Sequence, residues 1–258
     1  SSGISTSSSY VDVPGQSNKI SWRSMNYSAN KKSLKFNQLS YAGTYKKTDI
    51  KSFFKYLSIG GLSPKSVLKD KDRHVGLVEL SSGKIEIGEK ELTTTKLKSA
   101  LNLSIDSLSM DEVDFVHSMK DTLIQRIENM SVHAADVDYN QDSLGKLVIG
   151  LRNCRFSGKK GLFAVDNHKH TLEFGQMSFS TADSTLHAKS IDIKPIIDQR
   201  NRASRTLIRS SIDYIDINGA YLNPKNVLSE IRGQQLNICS PAFRMHTVST
   251  KNAPRPTA

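Results

Sequence analysis

The stretch ISWRSMNYSANKKSLKFNQLSY, from Ile20 to Tyr41, decides the fold because its apolar spacing recurs along most of the chain. Its first half is apolar at positions i, i+2, i+5 and i+7, and its second half repeats this spacing from Leu34. Residues i and i+2 lie on one face of a strand, and so do residues i+5 and i+7, but these two pairs are out of phase by one residue. One extra residue, as in a β-bulge, returns all four side chains to one face, unless the strand crosses between two layers at that point. The spacing predicts long, bent strands.

The same spacing marks other segments and brings the total to about ten candidate strands. These segments are 78–87, 132–139, 149–156, 172–179 and 186–193, with weaker copies at 101–110, 208–217 and 236–245. A shift of 152 residues lays Ile20–Tyr41 on Leu172–Ile193 without a gap. We therefore expect two related halves, at about 20–110 and 172–245, because such a period indicates a duplicated unit.

The predicted fold is all-β, a long twisted antiparallel sheet of about ten bulged strands curled into a groove or an open sandwich. Short helices are expected at 48–61, 121–129 and 223–233, where apolar residues follow helical spacing beside capping residues or closing glycines. The serine-rich composition of residues 1–18 predicts a flexible lead-in. We expect residues 19–250 to form a single repetitive β domain and residues 251–258 to form a flexible tail.

The formal net charge of +11 favours an anionic partner, such as phospholipid headgroups, an acidic glycolipid or nucleic acid. A lysine-rich solvated face would carry the same charge. Candidate contacts for anionic headgroups are Lys31, Lys32, Lys46 and Lys47. Nucleic acid is not expected, because aromatic residues do not interleave with the basic runs as a stacking platform requires.

No catalytic site emerges from the residue spacing, and we expect a protein that is not an enzyme. The segment Ser157–Gly161 lacks the spacing of a phosphate-binding loop and predicts a turn between strands. The carboxylates of Asp111, Glu112 and Asp114 are expected at a solvated strand end rather than as an acid/base pair.

No metal or cofactor site is expected either. His168 and His170 supply only two imidazole ligands, which are too few for a metal site by themselves. Cys154 and Cys239 lie in different strand-like segments, where they are either buried thiols or a disulfide.

Four bulky aromatic residues recur on the repeated apolar face. They are Trp22, Phe36, Phe174 and Phe243. Core packing is one interpretation of this pattern. If the sheet is open and curved, the same side chains line an apolar channel, which makes them the candidate lining of a lipid groove.

The chain resembles AsmA-like envelope proteins, a superfamily that includes TamB-type and YhdP-type proteins, and especially the members from Bacteroidetes-type bacteria. The resemblance rests on the bulged strands, on the phrase Ser211–Leu222 (SIDYIDINGAYL) and on the closing Gln235–Ile238 (QLNI). It implies an antiparallel sheet curled into a hydrophobic groove. It also implies tethering to the inner membrane by an N-terminal helix, a role in moving phospholipid towards the outer membrane, and no catalytic residues.

Together these observations predict a non-enzymatic periplasmic protein that binds or conducts lipid along an apolar β-groove. We expect attachment to the inner membrane through a segment absent from this chain, and envelope proteins as further partners. The alternative is a structural or adhesion-type β module, which has no ligand cavity and binds a protein or an anionic partner.

Overall fold

The three-dimensional structure is a computed structural model that describes residues 3–12, 18–45, 48–62, 72–89, 102–120, 122–141, 147–165, 169–196, 205–222 and 231–248. All regular structure in these residues is β-strand. The first eight strands are β1 (Gly3–Asp12), β2 (Lys19–Ser28), β3 (Ser33–Tyr45), β4 (Thr48–Gly60), β5 (Asp72–Glu89), β6 (Asn102–Met119), β7 (Thr122–Gln141) and β8 (Leu147–Val165). The others are β9 (His170–Ser180), β10 (Thr185–Pro195), β11 (Arg205–Asn218), β12 (Tyr221–Leu222), β13 (Ile231–Arg232), β14 (Gln235–Cys239) and β15 (Ala242–Val248).

Thirteen of these strands form one open sheet. The strands follow chain order from β1 to β11, and β14 and β15 both pair with β11, while β12 and β13 form a separate two-stranded sheet. All neighbours are antiparallel except β5 and β6, which run parallel from Asp72↔Asn102 to Glu89↔Met119. The all-β class is confirmed, and the predicted antiparallel sheet is corrected to a mostly antiparallel one by this parallel pair. A parallel neighbour requires a crossover of about a dozen residues, and the connecting residues 90–101 lie outside the described part of the chain.

A row of residues with left-handed backbone crosses the sheet, and we call it the kink row. It consists of Ser8, Gln38, Ser82, Glu112, Asn129, Lys160, Ser190 and Ser240, with φ between 37° and 54°. Between β1 and β2 the paired residues pass from Ser7↔Ser24 to Ser9↔Trp22 without a change of register. At the same level, the pairing also skips one residue on each strand where β4 meets β5 and where β10 meets β11. Register shifts occur where β7 pairs with β6 and with β8.

The kink row explains the apolar spacing of the sequence. In β3, Gln38 lies between the apolar pairs Leu34–Phe36 and Leu39–Tyr41, and all four apolar side chains are partly buried. Because facing strands gain a residue at the same level, most ladders resume in the register that they had before the kink. The prediction of bent strands with an extra residue is therefore confirmed. A bulge that places two residues opposite one is seen instead at the shifted ladders around β7.

The core lies on one face of the sheet, which we call the apolar face. Its main cluster comprises Ile127, Met130, Phe174, Phe179, Leu186, Ala188, Ile191, Ile212 and Ala220. A smaller cluster of Ala134, Val137 and Cys154 adjoins it on β7 and β8. Among the described residues, extensive contacts between strands of the sheet run between hydrogen-bonded neighbours. The described core is thus formed by side chains of this one open sheet.

Two of the predicted helices are wrong. The first lies within β4, where Ile50, Phe54 and Leu57 face the same side although they are four and three residues apart. A kinked strand produces these intervals as a helix does, because the extra residue at the kink turns a step of two into a step of three. The second is part of β7, where a spacing of four equals two strand steps. Of the third, 223–230 lie outside the described residues, and Ile231–Arg232 is a strand.

Two other segments also differ from expectation. Gly3–Asp12, placed in the flexible lead-in, forms β1 and pairs with β2 along its length. Ser157–Gly161, predicted as a turn, lies inside β8 at the kink row. Its glycines are needed for packing, because a Cβ at Gly158 would approach Ile127 Cγ2 to 2.6 Å and one at Gly161 would overlap the Phe174 ring. The tail 251–258 lies outside the described residues.

Candidate functional site

The apolar face brings two of the four predicted groove residues into direct contact. Trp22 on β2 and Phe36 on β3 are both partly buried, and their ring centroids lie 5.7 Å apart at an interplanar angle of 68°. This edge-to-face geometry is favourable for aromatic pairs. Trp22 Nε1 donates a hydrogen bond of 3.1 Å to Thr6 Oγ1 on β1. Trp22 therefore ties the edge strand to the sheet while its ring stays on the apolar face.

The other two aromatic residues lie on distant strands and differ in exposure. Phe174 on β9 is only 3% exposed, because its ring covers Gly161 and stacks on Phe163 with centroids 5.7 Å apart. Phe243 on β15 is 68% exposed at the opposite edge of the sheet from Trp22. Phe174 is consequently a core residue of the apolar face, and Phe243 is an accessible one.

The four candidate lysines do not form one described cluster. Lys31 and Lys32 are exposed in the turn between β2 and β3, where Lys32 O accepts a hydrogen bond of 3.0 Å from Leu62 N. Lys46 and Lys47 follow β3 in the sequence and lie outside the described residues. The thirteen residues of β3 separate the two pairs along the chain.

The opposite face of the sheet is polar and contains a cavity of about 830 Å³. Its lining includes Ser131, Lys159, Gln176, Ser178, Lys189 and Tyr214. These residues alternate with the apolar positions of β7 to β11 and lie next to one another across the strands, as in Gln176↔Lys189 and Lys189↔Tyr214. The cavity thus lies behind the apolar face, at a place that apolar periodicity does not mark.

Three residues of this cavity stand at directly paired positions on neighbouring strands: Ser178 on β9, His187 on β10 and Asp216 on β11. His187 Nδ1 and Asp216 Oδ1 are 2.6 Å apart. Hydrolytic triads also require a hydrogen bond from the serine to the histidine, and these two described side chains make none. The arrangement can bind a polar or anionic group, but it lacks the geometry of an activated nucleophile.

Sequence reasoning missed the group of Ser178, His187 and Asp216 because these residues lie on three different strands, and only the cross-strand register brings them together. The one available indication was that histidine, lysine and aspartate occupy the alternate, non-apolar positions of β10 and β11. Such positions are ordinarily solvated, so alternation alone does not distinguish a site from a surface.

The acidic cluster of β6 is dispersed rather than paired. Asp111 lies 3.2 Å from His133 Nε2, Glu112 accepts a hydrogen bond of 2.9 Å from Ser82, and Asp114 accepts one from Asn129 N at 2.9 Å. The three carboxylates stand at the kink row in the middle of β6, not at the strand end that the sequence suggested. Each has its own partner, which supports a structural role for all three.

Several titratable groups have perturbed pKa values with simple causes. A 2.6 Å hydrogen bond to Glu173 raises the pKa of Lys194. Burial raises the pKa of the Cys154 thiol, and a hydrogen bond with Cys239 raises the pKa of the Tyr214 hydroxyl. Both cysteines are free, so the disulfide alternative does not apply to this structure.

In the described part of the chain, no three histidine, cysteine or acidic side chains converge as a metal site would need. His168 lies outside that part, and His170 is buried with its Nε2 accepting a hydrogen bond from Ile208 N at 3.3 Å. The described residues contain no helix that is long and apolar enough to cross a membrane.

Comparison with known proteins finds no family model and no curated protein that matches this chain.

Proposed function

We propose that the protein is a non-enzymatic envelope protein of the AsmA-like type that binds or conducts lipid along its apolar face. One observation carries this proposal: one open sheet collects its apolar side chains on a single face, which is buried at its centre and still accessible at Trp22, Phe36 and Phe243. Accessible apolar side chains that adjoin a buried apolar cluster are characteristic of a binding surface.

Burial of acyl chains would supply the binding energy. Each methylene removed from water contributes about 0.8 kcal/mol, so about ten methylenes contribute on the order of 8 kcal/mol before the cost of immobilising the lipid. Trp22 and Phe36 would contact the chain on the β2–β3 side and Phe243 at the other edge, while Phe174 would support the wall from within the core. Lys31 and Lys32 would attract anionic headgroups.

The location and origin of the protein belong to the same proposal. It would act in the periplasm, attached to the inner membrane through a segment outside this chain, and contribute to outer-membrane biogenesis together with envelope proteins. We also propose that the two halves descend from one β-unit. In support, the hairpins β2–β3 and β9–β10 carry left-handed residues at equivalent positions, Lys32 with Ser184 and Gln38 with Ser190.

The test uses Trp22, which is the only tryptophan of the chain and lies on the apolar face. The protein is mixed with phosphatidylglycerol vesicles whose acyl chains are brominated, and tryptophan emission is recorded. We expect strong quenching, because bromine quenches an indole ring that it touches. Native mass spectrometry should show a lipid adduct. Unchanged emission together with an adduct-free mass would refute lipid binding.

Matched variants locate the binding surface. Phe243→Gln removes an exposed aromatic ring from the apolar face, and Phe53→Gln removes one from the polar face, where Phe53 is 40% exposed. The first should lower lipid retention several-fold and the second should leave it unchanged. Phe174 is unsuitable for this purpose, because a polar residue at a position that is 3% exposed would unfold the sheet.

The second candidate is the structural module that binds an anionic partner. The observation that favours it is the cavity on the polar face, where Lys159 and Lys189 stand on either side of Gln176. If this candidate is correct, the double variant K159Q/K189Q will lose the partner while Trp22 emission stays insensitive to lipid. A dextran sulfate pull-down provides a simple anionic probe for the comparison.

A further inference from the structure

Exposed apolar side chains are concentrated at the two edges of the sheet. Of the ten large hydrophobic residues that are strongly exposed in the described part, seven lie on the edge strands β1, β14 and β15: Ile4, Tyr10, Val11, Leu236, Ile238, Phe243 and Met245. Two more, Ile208 and Tyr214, lie on β11 beside that edge. Patches of this kind mark interaction surfaces. Both edges also have free backbone groups in the described residues, since β1 pairs with β2 and the strands β14 and β15 pair with β11.

The two edges match in pattern. β1 places Ile4, Thr6, Ser9 and Val11 on the apolar face, with Ser8 as its kink residue. The β14–β15 edge places Leu236, Ile238, Pro241 and Phe243 at the same intervals, with Ser240 as its kink residue. Both edges therefore carry the kink at the same point of the apolar repeat.

The two edges also match in direction. The strands alternate in direction from β1 to β5, β6 runs parallel to β5, and alternation resumes from β6 to β11. Both β14 and β15 pair antiparallel with β11. As a result β1, β14 and β15 all run the same way. Two copies placed side by side with their apolar faces aligned would bring β14–β15 of one copy against β1 of the next as parallel strands.

The sheet already contains such a pairing. In the parallel pair β5–β6, the kink residues Ser82 and Glu112 stand opposite each other, and apolar residues such as Leu80 and Met110 share a face. Parallel strands with aligned kinks are therefore compatible with this backbone. An antiparallel pairing of two strands that both carry a left-handed residue is accompanied by a register shift, as between β6 and β7.

We propose that the β14–β15 edge of one copy pairs in parallel with β1 of a second copy, with Ser240 level with Ser8. This register pairs Leu236 with Ile4, Phe243 with Val11 and Cys239 with Ser7. Pro241 cannot donate a hydrogen bond, but it adjoins the kink, where the ladder to β11 is already interrupted between Cys239 and Ala242. The missing N–H group of Pro241 therefore costs no hydrogen bond in the ladder to β11.

The contact is heterologous, because each copy presents a different edge to each neighbour. Such contacts generate open chains unless the rotation closes a ring. Successive copies would prolong the sheet and its apolar face beyond one molecule. The inference stands on the edges alone and does not depend on lipid binding.

The test is a disulfide between copies. Ser7→Cys would face the free Cys239 of the next copy at a separation suited to a disulfide. Ser5→Cys on the same face is the control, because it lies about 6.6 Å further along the strand and outside bonding range. Under mild oxidation, Ser7→Cys should give a ladder of cross-linked oligomers on a non-reducing gel and Ser5→Cys should give none. Cys154 does not interfere because it is buried.

Two further measurements complete the design. Adding Cys239→Ser to the Ser7→Cys variant should abolish the ladder. Sedimentation velocity of the unmodified chain should show species that grow with concentration, and Phe243→Glu should return it to a monomer, whereas Phe53→Glu should not. Cross-linking that stops at a dimer would identify a symmetric contact and overturn the proposal. A monomer at all concentrations without cross-links would overturn it as well. Lipid quenching of Trp22 in the unmodified chain, diluted until sedimentation shows the monomer, keeps this outcome separate from the proposed function.

Discussion

At the scale of single residues, the kink row is unusual because non-glycine residues occupy it. Gln38, Glu112 and Lys160 all have φ near 50°. This conformation costs a residue with a Cβ about 1–2 kcal/mol. The cost is offset by the apolar face, since without the extra residue each strand would turn half of its apolar side chains to the polar side.

Gln38 provides the test of this account. Gln38→Val should lower the free energy of unfolding, because a β-branched side chain fits poorly at positive φ. Gln38→Gly should leave it unchanged or raise it, because glycine adopts this backbone readily. We expect the two variants to differ by about 1–2 kcal/mol in urea unfolding.

A neighbouring position serves as the control. Lys35 is exposed on β3, where it lies on the polar face and its φ is not in the left-handed region. Lys35→Val should be neutral or slightly stabilising, since valine favours strands. Equal destabilisation by valine at both positions would contradict the account.

At the scale of elements, a kinked strand resembles a helix in sequence. The predicted helix over 48–61 had a cap, an apolar stripe and closing glycines, and the structure has β4 there. Phe53 shows the difference, because it is 40% exposed on the polar face while Phe54 is buried on the other. The glycine signal marks the end of a strand, where Gly61 has φ of 72° and a Cβ would lie 2.8 Å from Gly76 N.

The glycines of β8 are a second property of an element, and Gly161 can be tested. Gly161→Ala should destabilise the protein by about 1–3 kcal/mol, because the added methyl group would displace the Phe174 ring from its stack on Phe163. Thermal unfolding and near-ultraviolet circular dichroism would report this change.

Gly88 on β5 is the matched control for Gly161. A Cβ there would meet no heavy atom closer than 3.8 Å. Gly88→Ala should therefore be neutral or stabilising, since alanine loses less backbone entropy than glycine. If Gly161→Ala were as stable as Gly88→Ala, the packing of Phe174 over Gly161 would not be a determinant of stability.

At the scale of the whole molecule, the net charge of +11 and the apolar face would act together on an anionic membrane. Basic residues near such a surface contribute about 1 kcal/mol each. The double variant K31Q/K32Q should therefore weaken binding to phosphatidylglycerol vesicles by roughly thirtyfold at low salt. Binding to zwitterionic vesicles should not change, as measured by vesicle flotation.

The control for the lysine pair is K51Q/K55Q, which removes two exposed lysines from the polar side of β4. K51Q/K55Q should weaken binding to phosphatidylglycerol vesicles less than K31Q/K32Q does, although the two double variants have the same net charge. Identical losses for the two double variants would mean that net charge alone attracts the protein, and that Lys31 and Lys32 have no special position relative to the apolar face.

The sequence by itself determined that the protein is all-β, that its strands bend at an extra residue, and which side chains share the apolar face. These features follow from local periodicity, because a strand exposes alternate residues to opposite sides whatever its neighbours are. Trp22 and Phe36 were assigned to one face on this basis, and they are in contact in the structure.

Only the tertiary structure decided the parallel pairing of β5 and β6, the burial of Phe174 against the exposure of Phe243, and the convergence of His187 with Asp216. Each depends on which strands become neighbours and in what register, and the spacing of residues within a strand carries no information about that choice. The four- and three-residue intervals of β4 were ambiguous for a related reason. A helix and a kinked strand share them, and pairing with β3 and β5 selects the strand.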